Sequence, residues 1–305
     1  MNKQKRLSAL NYIRTNKSLY MLMIPVLVYY FVFSYIPMYG AVIAFKNFQP
    51  GASIFSSPWV GFQNFIDFFT SPLFPRLMTN TLLISIYSLV FGFPIPIILA
   101  LSINELVGKR FKRVVQTATY LPHFISMVVV CGIIRDFTFT DGVINQIITQ
   151  LGGAPIAFLQ KPEYFRPIYV ITGIWQSAGW SSIIYLSALA GIDKELFDAA
   201  KVDGANKFRQ ILHVSIPSLM PTIITLFILN LGSMLSVGSE KILLLYNPAI
   251  YETADVISTY VYRKGLLDFS WSFSAAVGLF NSVVNFSLVV VANKINQKTN
   301  NNSLW

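Results

Sequence analysis

Polar and apolar positions alternate along this chain in long blocks. Six runs carry no Asp, Glu, Lys or Arg: residues 18–45, 77–104, 114–134, 167–192, 210–239 and 269–293. A helix needs about 20 apolar residues to cross a bilayer, and each run is long enough. Two further charge-free runs, 47–66 and 142–160, are interrupted by Pro, Gly, Ser and Gln. They predict loops with short interfacial helices. Composition agrees, with 54% hydrophobic and 12% charged residues and a mean hydropathy of +0.57. The expected fold class is an all-α integral membrane protein with six transmembrane helices.

Charge orients the predicted spans. Six crossings leave both termini on one side, and that side holds Lys3, Lys5, Arg6, Arg14 and Lys17, then Lys109, Arg110, Lys112 and Arg113, then Lys194, Lys201, Lys207 and Arg209, then Lys294 and Lys298. The other connections balance eight basic residues against eight acids, so the whole net charge of +10 falls on one face. By the positive-inside rule that face is cytoplasmic, and anionic lipid accounts for the basic balance without nucleic acid. The basic arm before the first run could open a secretory signal, but the run is too long for a signal core and lacks a small-x-small cleavage pattern, so it reads as a retained anchor. Cys131, the single cysteine, permits no internal disulfide and reads as a small apolar filler. There is no internal repeat, and low complexity is confined to Asn300–Asn302.

The most informative connection lies between the fourth and fifth runs. It reads Asp198-Ala199-Ala200-Lys201-Val202-Asp203-Gly204-Ala205-Asn206-Lys207-Phe208 and continues to Val214-Ser215-Ile216-Pro217. Asp193 is placed to cap a short helix whose first turn carries Glu195, a favourable charge at the positive end of the dipole. Leu196, Phe197 and Ala200 share one face, Ala199 and Ala200 keep the surface shallow, and Gly204 supplies a turn. The plain alternative is a solvated connector between two spans.

That sequence resembles the Glu-Ala-Ala cytoplasmic loop of type I ATP-binding-cassette (ABC) importer permeases, with Gly six and Pro nineteen positions after Asp198. Asp198, Val214 and Ile216 stand where the family has Glu, Ile and Leu, so charge and apolar character are kept while fine docking geometry differs. Further segments resemble the oligosaccharide branch of these permeases: Ile36-Pro-Met-Tyr-Gly40 with Ala44-Phe-Lys46, Val60-Gly-Phe-Gln-Asn64-Phe65, Tyr120-Leu-Pro-His123-Phe-Ile-Ser126, Trp175-Gln176 leading to Trp180, and Gly278-Leu-Phe-Asn281 through Asn285.

The resemblance implies a MetI-like permease core with an extra N-terminal helix. Residues 1–76 would hold the arm, first helix and external loop; 77–297 the five-helix core with the coupling loop at 193–217; and 298–305 a cytoplasmic tail. It implies a bacterial cell-membrane location and a coupling interface made by Asp198, Ala199, Ala200, Asp203, Gly204, Ala205, Phe208, Ile216 and Pro217. The implied partners are a second, homologous permease, a cytoplasmic ABC ATPase dimer and an extracellular solute-binding lipoprotein. ATP and Mg would sit on the ATPase subunits, with no cofactor or metal in this chain.

Elimination points the same way. The chain lacks a Gly-x-x-x-x-Gly-Lys-Ser/Thr phosphate loop, a His-Glu-x-x-His pair and a Gly-x-Ser-x-Gly elbow, which argues against an enzyme. Neither of its two histidines, His123 and His213, has an evident acid or nucleophile partner in sequence, so both read as hydrogen-bonding residues. None of the 13 acids falls within the six runs, which disfavours proton coupling. Sodium sites built from carbonyls and hydroxyls stay open. No span shows a filter-like sequence, which counts against a channel. Asp136, Asp141, Glu240 and Glu252 read as outer-face acids, solvated or touching a binding protein.

A sugar path needs hydrogen-bonding groups and aromatic faces inside the membrane. Helical pairs offer Gln176 with Trp180, Asn230 with Ser233, and Asn281 with Asn285 as candidates. The competing reading is that these groups bond to neighbouring helices. The function expected from the resemblance, which is nearest to carriers of the aldouronate or pectin type, is import of oligosaccharides, as complex glycan or polysaccharide fragments delivered by an extracellular solute-binding protein, by a permease subunit. An ABC importer of another solute is the first alternative, and a stand-alone channel or ion-coupled carrier the second.

Overall fold

The computed structural model describes residues 15–49, 51 and 53–300. Lys3, Lys5, Arg6, Arg14 and the tail beyond Asn300 lie outside them. The described residues are nearly all helical, and their one β-type pairing is an isolated bridge between Lys46 and Trp59.

Among the described residues four helical stretches are long and apolar enough to cross a membrane: α1 (Lys17–Phe45), and then Phe74–Glu105, Lys207–Leu231 and Trp271–Lys298. Before the second of these comes the short α2 (Gln63–Phe69); the second itself is α3 (Phe74–Glu105). The wide turns within these stretches have a common cause. Phe31–Tyr35, Ser88–Gly92 and Ile211–Ser215 are π-helical, and Pro37, Pro94 and Pro217 follow two residues after their ends. Proline donates no N–H and its ring crowds the carbonyl four residues back, so a wide turn lets the helix continue past it.

The run 114–134 is not one straight span, contrary to expectation. It divides into α4 (Lys109–Tyr120) and α5 (Met127–Thr138), and the two arms containing them meet at 100°. The break is local chemistry: Pro122 opens a 3-10 turn over Leu121–Phe124, Ile125 is extended, and Ser126 restarts the helix by accepting a bond from the Val129 amide. α6 (Val143–Gln150) follows as one of the expected short helices.

The fourth charge-free run forms α7 (Pro162–Ala190), whose 29 residues extend about 43 Å at 1.5 Å each. It falls short of the apolarity of the others because Thr172, Gln176, Ser177, Ser181 and Ser182 lie within it. It is also the hub, packing along α3 and α4. At the α4 crossing the helices approach so closely that a Cβ on Gly179 would lie 1.9 Å from the Thr119 carbonyl oxygen. The order is completed by α8 (Lys194–Val202), α9 (Lys207–Leu231), α10 (Ser239–Leu245), α11 (Ile257–Tyr262) and α12 (Trp271–Asn300).

Three apolar clusters hold this frame. Ala100, Tyr185, Leu189 and Leu219 join α3, α7 and α9. Val130, Cys131, Ile134, Ile242 and Leu245 lock α10 onto α5. Phe68, Leu77, Ile257, Tyr260 and Val277 join α2, α3, α11 and α12, with the Phe68 ring edge-on to Phe74 at 5.0 Å. Cys131, in the second cluster, is buried and packs as the filler expected.

Polar ties organise the end opposite the 193–217 loop. Asn64 donates to the carbonyls of Ala44 and Lys46 at 2.8 and 3.2 Å, Lys46 reaches the Ile54 carbonyl at 2.7 Å, and Phe45 stacks on Trp59. Asp255, fully buried, accepts two bonds from Arg263 at 2.9 and 2.7 Å and one from Thr259 at 2.8 Å. Asn80 of α3 donates to the Asp255 and Glu252 carbonyls and accepts from Arg166 of α7 at 2.8 Å. A buried carboxylate paired on both oxygens meets the requirement that buried charge be compensated. By contrast, none of the most apolar stretch of α1 is buried by its own chain.

Candidate functional site

Two regions carry the chemistry expected from sequence. The first is a cavity of about 800 Å³ walled by α3, α7, the C-terminal end of α9, the turn that follows it, and α10. This is within the usual range for a ligand site. Gln176, Trp180, Asn230 and Ser233 all line it. Asn281 does not: it is half-buried on α12, and its Oδ1 is enclosed without a hydrogen-bond partner. Asn285 serves the frame instead, its Oδ1 accepting from the Leu235 amide at 3.0 Å and its Nδ2 donating to Ser236 at 3.0 Å. It thereby ties α12 to the turn after α9.

The lining groups are only partly committed to neighbours. Gln176 donates to the Ile125 carbonyl at 3.3 Å, which fastens α7 to the break between α4 and α5. Asn230 donates to the Leu226 carbonyl of its own helix at 2.8 Å, and Ser233 to the Asn230 carbonyl at 3.1 Å. The Trp180 indole stacks on the His123 ring, 4.7 Å away with the two planes 2° from parallel, and Phe124 stands edge-on at 5.4 Å. His123 is thus an aromatic partner at the helix break. An open aromatic face with amide and hydroxyl groups around it is the equipment for holding a sugar.

Several wall residues were not anticipated from sequence. Ser85 of α3 donates to the Met234 carbonyl and so closes the wall between α3 and the turn after α9. Glu240, expected among the outer acids, lies on the cavity wall, and Lys241 lies beside it. Lys241 is 5% exposed; it donates to the Tyr169 carbonyl at 2.8 Å and sits 4.7 Å from the centre of the same ring. The available signal was its isolation, since no other Lys or Arg occurs between Arg209 and Arg263.

The second region is the loop at 193–217. Asp193 accepts from the Glu195 amide at 3.0 Å and caps α8, as its position predicted. The helix ends in a Schellman motif: the Ala205 amide bonds to the Ala200 carbonyl at 2.9 Å and the Gly204 amide to Lys201 at 3.0 Å, with Gly204 at φ +75°. Asn206 then caps α9 by accepting from the Arg209 amide at 2.9 Å, while Gln210 donates to Ala205 at 2.8 Å. His213 donates through Nδ1 to the Arg209 carbonyl at 3.1 Å. Asp198 pairs with Lys201 at 2.7 Å, and this hydrogen bond holds its carboxyl below the usual carboxylate range. Lys207 reaches Glu105 at the end of α3, 2.9 Å away, so the loop is joined to a helix that walls the cavity.

The outward surface of the loop carries large apolar side chains among its charged ones. Leu196 is 51% exposed, Val202 88% and Phe208 71%. Ala199 and Asp203 are exposed beside them, Ala200 and Ala205 are half-buried, and Ile216 and Pro217 lead into the span after the wide turn.

The fold and these two regions define a membrane permease, and comparison with known proteins places it. The chain belongs to the family described as binding-protein-dependent transport system inner membrane component, which it matches over residues 92–301. Protein LplB of Bacillus subtilis (strain 168) is 43% identical over 302 residues, covering 99% of this chain and 95% of that protein. The polygalacturonan/rhamnogalacturonan transport system permease protein YteP of the same organism is 42% identical over 297 residues, covering 97% and 92%. Among solved structures, a bacterial ABC transporter that imports the acidic polysaccharide alginate matches with a TM-score of 0.88 at 42% identity, over 96% of this chain and 99% of that one. The same match is found when that type of transporter is bound to its periplasmic protein loaded with alginate pentasaccharide, at TM-score 0.88 and 41% identity.

Proposed function

We propose that this chain is the path-forming subunit of an ATP-driven importer of oligosaccharides, working with a second permease, an ATPase dimer docked on the 193–217 loop, and an extracellular solute-binding protein. The observation that carries the reading is one continuous connection. A rigidly capped loop with an exposed apolar surface is bonded through Lys207 and Glu105 to α3, and α3 walls a cavity furnished for sugar. The substrates printed for YteP and the alginate transporter support the sugar class. ATP and Mg would be held by the ATPase partners. The bare surface of α1 suits contact with lipid and the second permease. Both termini and the loop face the cytoplasm in this reading, by the distribution of Lys and Arg.

In mechanism, ATPase closure would pull on Asp198, Ala199, Ala200, Asp203, Gly204, Ala205 and Phe208, with Ile216 and Pro217 passing the movement into α9. The cavity residues Gln176, Trp180, Asn230 and Ser233 would exchange contacts with the sugar as the spans rock. A ligand or partner can bias such an equilibrium only through different contacts in the two states, and the loop is where the ATPase makes them. The test is Gly204→Pro, which cannot adopt the positive φ of the turn. The variant should insert into the membrane, lose the ATPase on purification and import no oligosaccharide. Retention of the ATPase with normal uptake would overturn the docking role.

A further inference from the structure

The start of α4 gathers cations that the chain itself does not balance. Lys109, Arg110, Lys112 and Arg113 follow one another closely, and the first turn of the helix holds no acid. The ordinary arrangement is seen in α8, with Glu195 in its first turn and Lys201 in its last. Cations at the positive end of a helix are disfavoured, and like charges three or four positions apart repel, as Arg110 and Lys109 each do with Arg113. Among the described residues none of the four is in an ion pair, and Glu105, the acid nearest in sequence, is taken by Lys207 at 2.9 Å. Lys112 is half-buried and reaches the Asn104 carbonyl at 3.5 Å, while Lys109, Arg110 and Arg113 are exposed. Beyond these cations the same face continues without charge. Arg110, Val114, Thr117 and Leu121 recur along it at helical spacing, and Val114 and Leu121 are 64% and 60% exposed. The opposite side of the helix is the one turned to α7, where Thr119 meets Gly179.

We propose that this face of α4 binds an anionic glycerophospholipid, its phosphate held by Arg110 and Arg113 with Lys109 beside them, and its acyl chains lying along Val114, Ala118 and Leu121. The layering of the face matches a lipid, with cations for one turn and then exposed positions that carry no charge. A guanidinium grips a phosphate through parallel N–H bonds, and Arg110 and Arg113, three positions apart, lie on one side of the helix. A helix of a second subunit packed here would bury unmatched cations, which is costly unless it brought acids to meet them. The site adjoins the joint between α3 and the 193–217 loop, because Glu105, the partner of Lys207, lies four positions before Lys109. A bound lipid would therefore steady the helix ends on which that joint is built. The inference requires only that the chain spans a bilayer, and it stands whichever solute is carried.

The test is native mass spectrometry of the full chain, with whatever subunits stay bound to it, stripped of lipid and titrated with phosphatidylglycerol or phosphatidylcholine of the same acyl chains. Wild type should bind phosphatidylglycerol about tenfold or more tightly. Arg110→Gln combined with Arg113→Gln should bring the two lipids within about twofold of each other, and the matching pair of Lys substitutions should keep most of the preference. Lys294→Gln with Lys298→Gln removes two exposed cations near the end of α12 and should leave the preference unchanged. Equal binding of the two lipids by wild type would overturn the proposal, and that arm decides even where a variant fails to fold. An equal loss in the Lys294 and Lys298 pair would also overturn it, by showing diffuse attraction in place of a site. Displacement of the lipid by millimolar inorganic phosphate would make it a phosphate site instead. The other occupant is tested in the native membrane, with a benzophenone attached through Val114→Cys in a Cys131→Ala background. It should label lipid; capture of another protein at that position would sink the inference.

Discussion

The loop at 193–217 and the cavity are built by opposite means. Within the loop, each cap or turn bond joins residues no more than five positions apart: Asp193 to Glu195, Ala205 to Ala200, Asn206 to Arg209 and Gln210 to Ala205. The cavity is assembled from distant segments. Lys241 meets Tyr169 across 72 positions, Ser85 meets Met234 across 149, and Gln176 meets Ile125 across 51. A capped loop can be encoded as a short motif, whereas a cavity between helices exists only when the bundle has formed. Damage should therefore spread differently in the two regions: globally from the bundle, locally from the loop.

The largest effect is expected at the crossing of α4 and α7. Gly179→Leu forces side-chain atoms where even a Cβ would meet the Thr119 carbonyl at 1.9 Å. That backbone contact cannot yield as a side chain would. The variant should fail to accumulate as a monodisperse protein in detergent, by size-exclusion chromatography. A normal elution profile would show that the bundle tolerates separation there, which breaks the contrast.

A middle-sized effect belongs to Gly204→Ala. The left-handed backbone costs a non-glycine residue roughly 1–2 kcal/mol, and no atom lies within 4 Å of the added Cβ, so strain is the only penalty. The ATPase should dissociate more readily while thermal unfolding of the permease alone barely moves, read by pull-down and by melting in detergent. A large loss of melting temperature would make the loop part of the bundle's stability. Smallest of all, Asn206→Ala removes one cap at about 1 kcal/mol, measurable as a modest drop in ATPase affinity with the cavity's sugar preference intact. A changed preference would mean the loop and the cavity are not separable.

Legibility followed the same division. The Asp193 cap, the Gly204 turn and the apolar face of α8 could be read directly, because caps and turns depend on neighbours in the chain. So could most of the spans. The run 114–134 misled because lack of charge does not reveal a bend, although Pro122 and Ser126 were the local marks of one. Among path candidates, Gln176, Trp180, Asn230 and Ser233 line the cavity, whereas Asn281, chosen on the same helical spacing, does not. Lys241 was passed over because a lysine beyond a span ordinarily counts as a loop residue.

The sequence by itself determined that this is a helical membrane protein, where its charge concentrates, and how the 193–217 loop folds, since hydropathy, charge and capping act within a few turns of chain. Only the tertiary structure decided which polar residues share a cavity, that Lys241 is buried against Tyr169, and that α1 keeps its apolar surface bare. Those facts depend on the rotation of each helix about its axis and on contacts between residues 50 to 175 positions apart, which packing sets once every helix is in place.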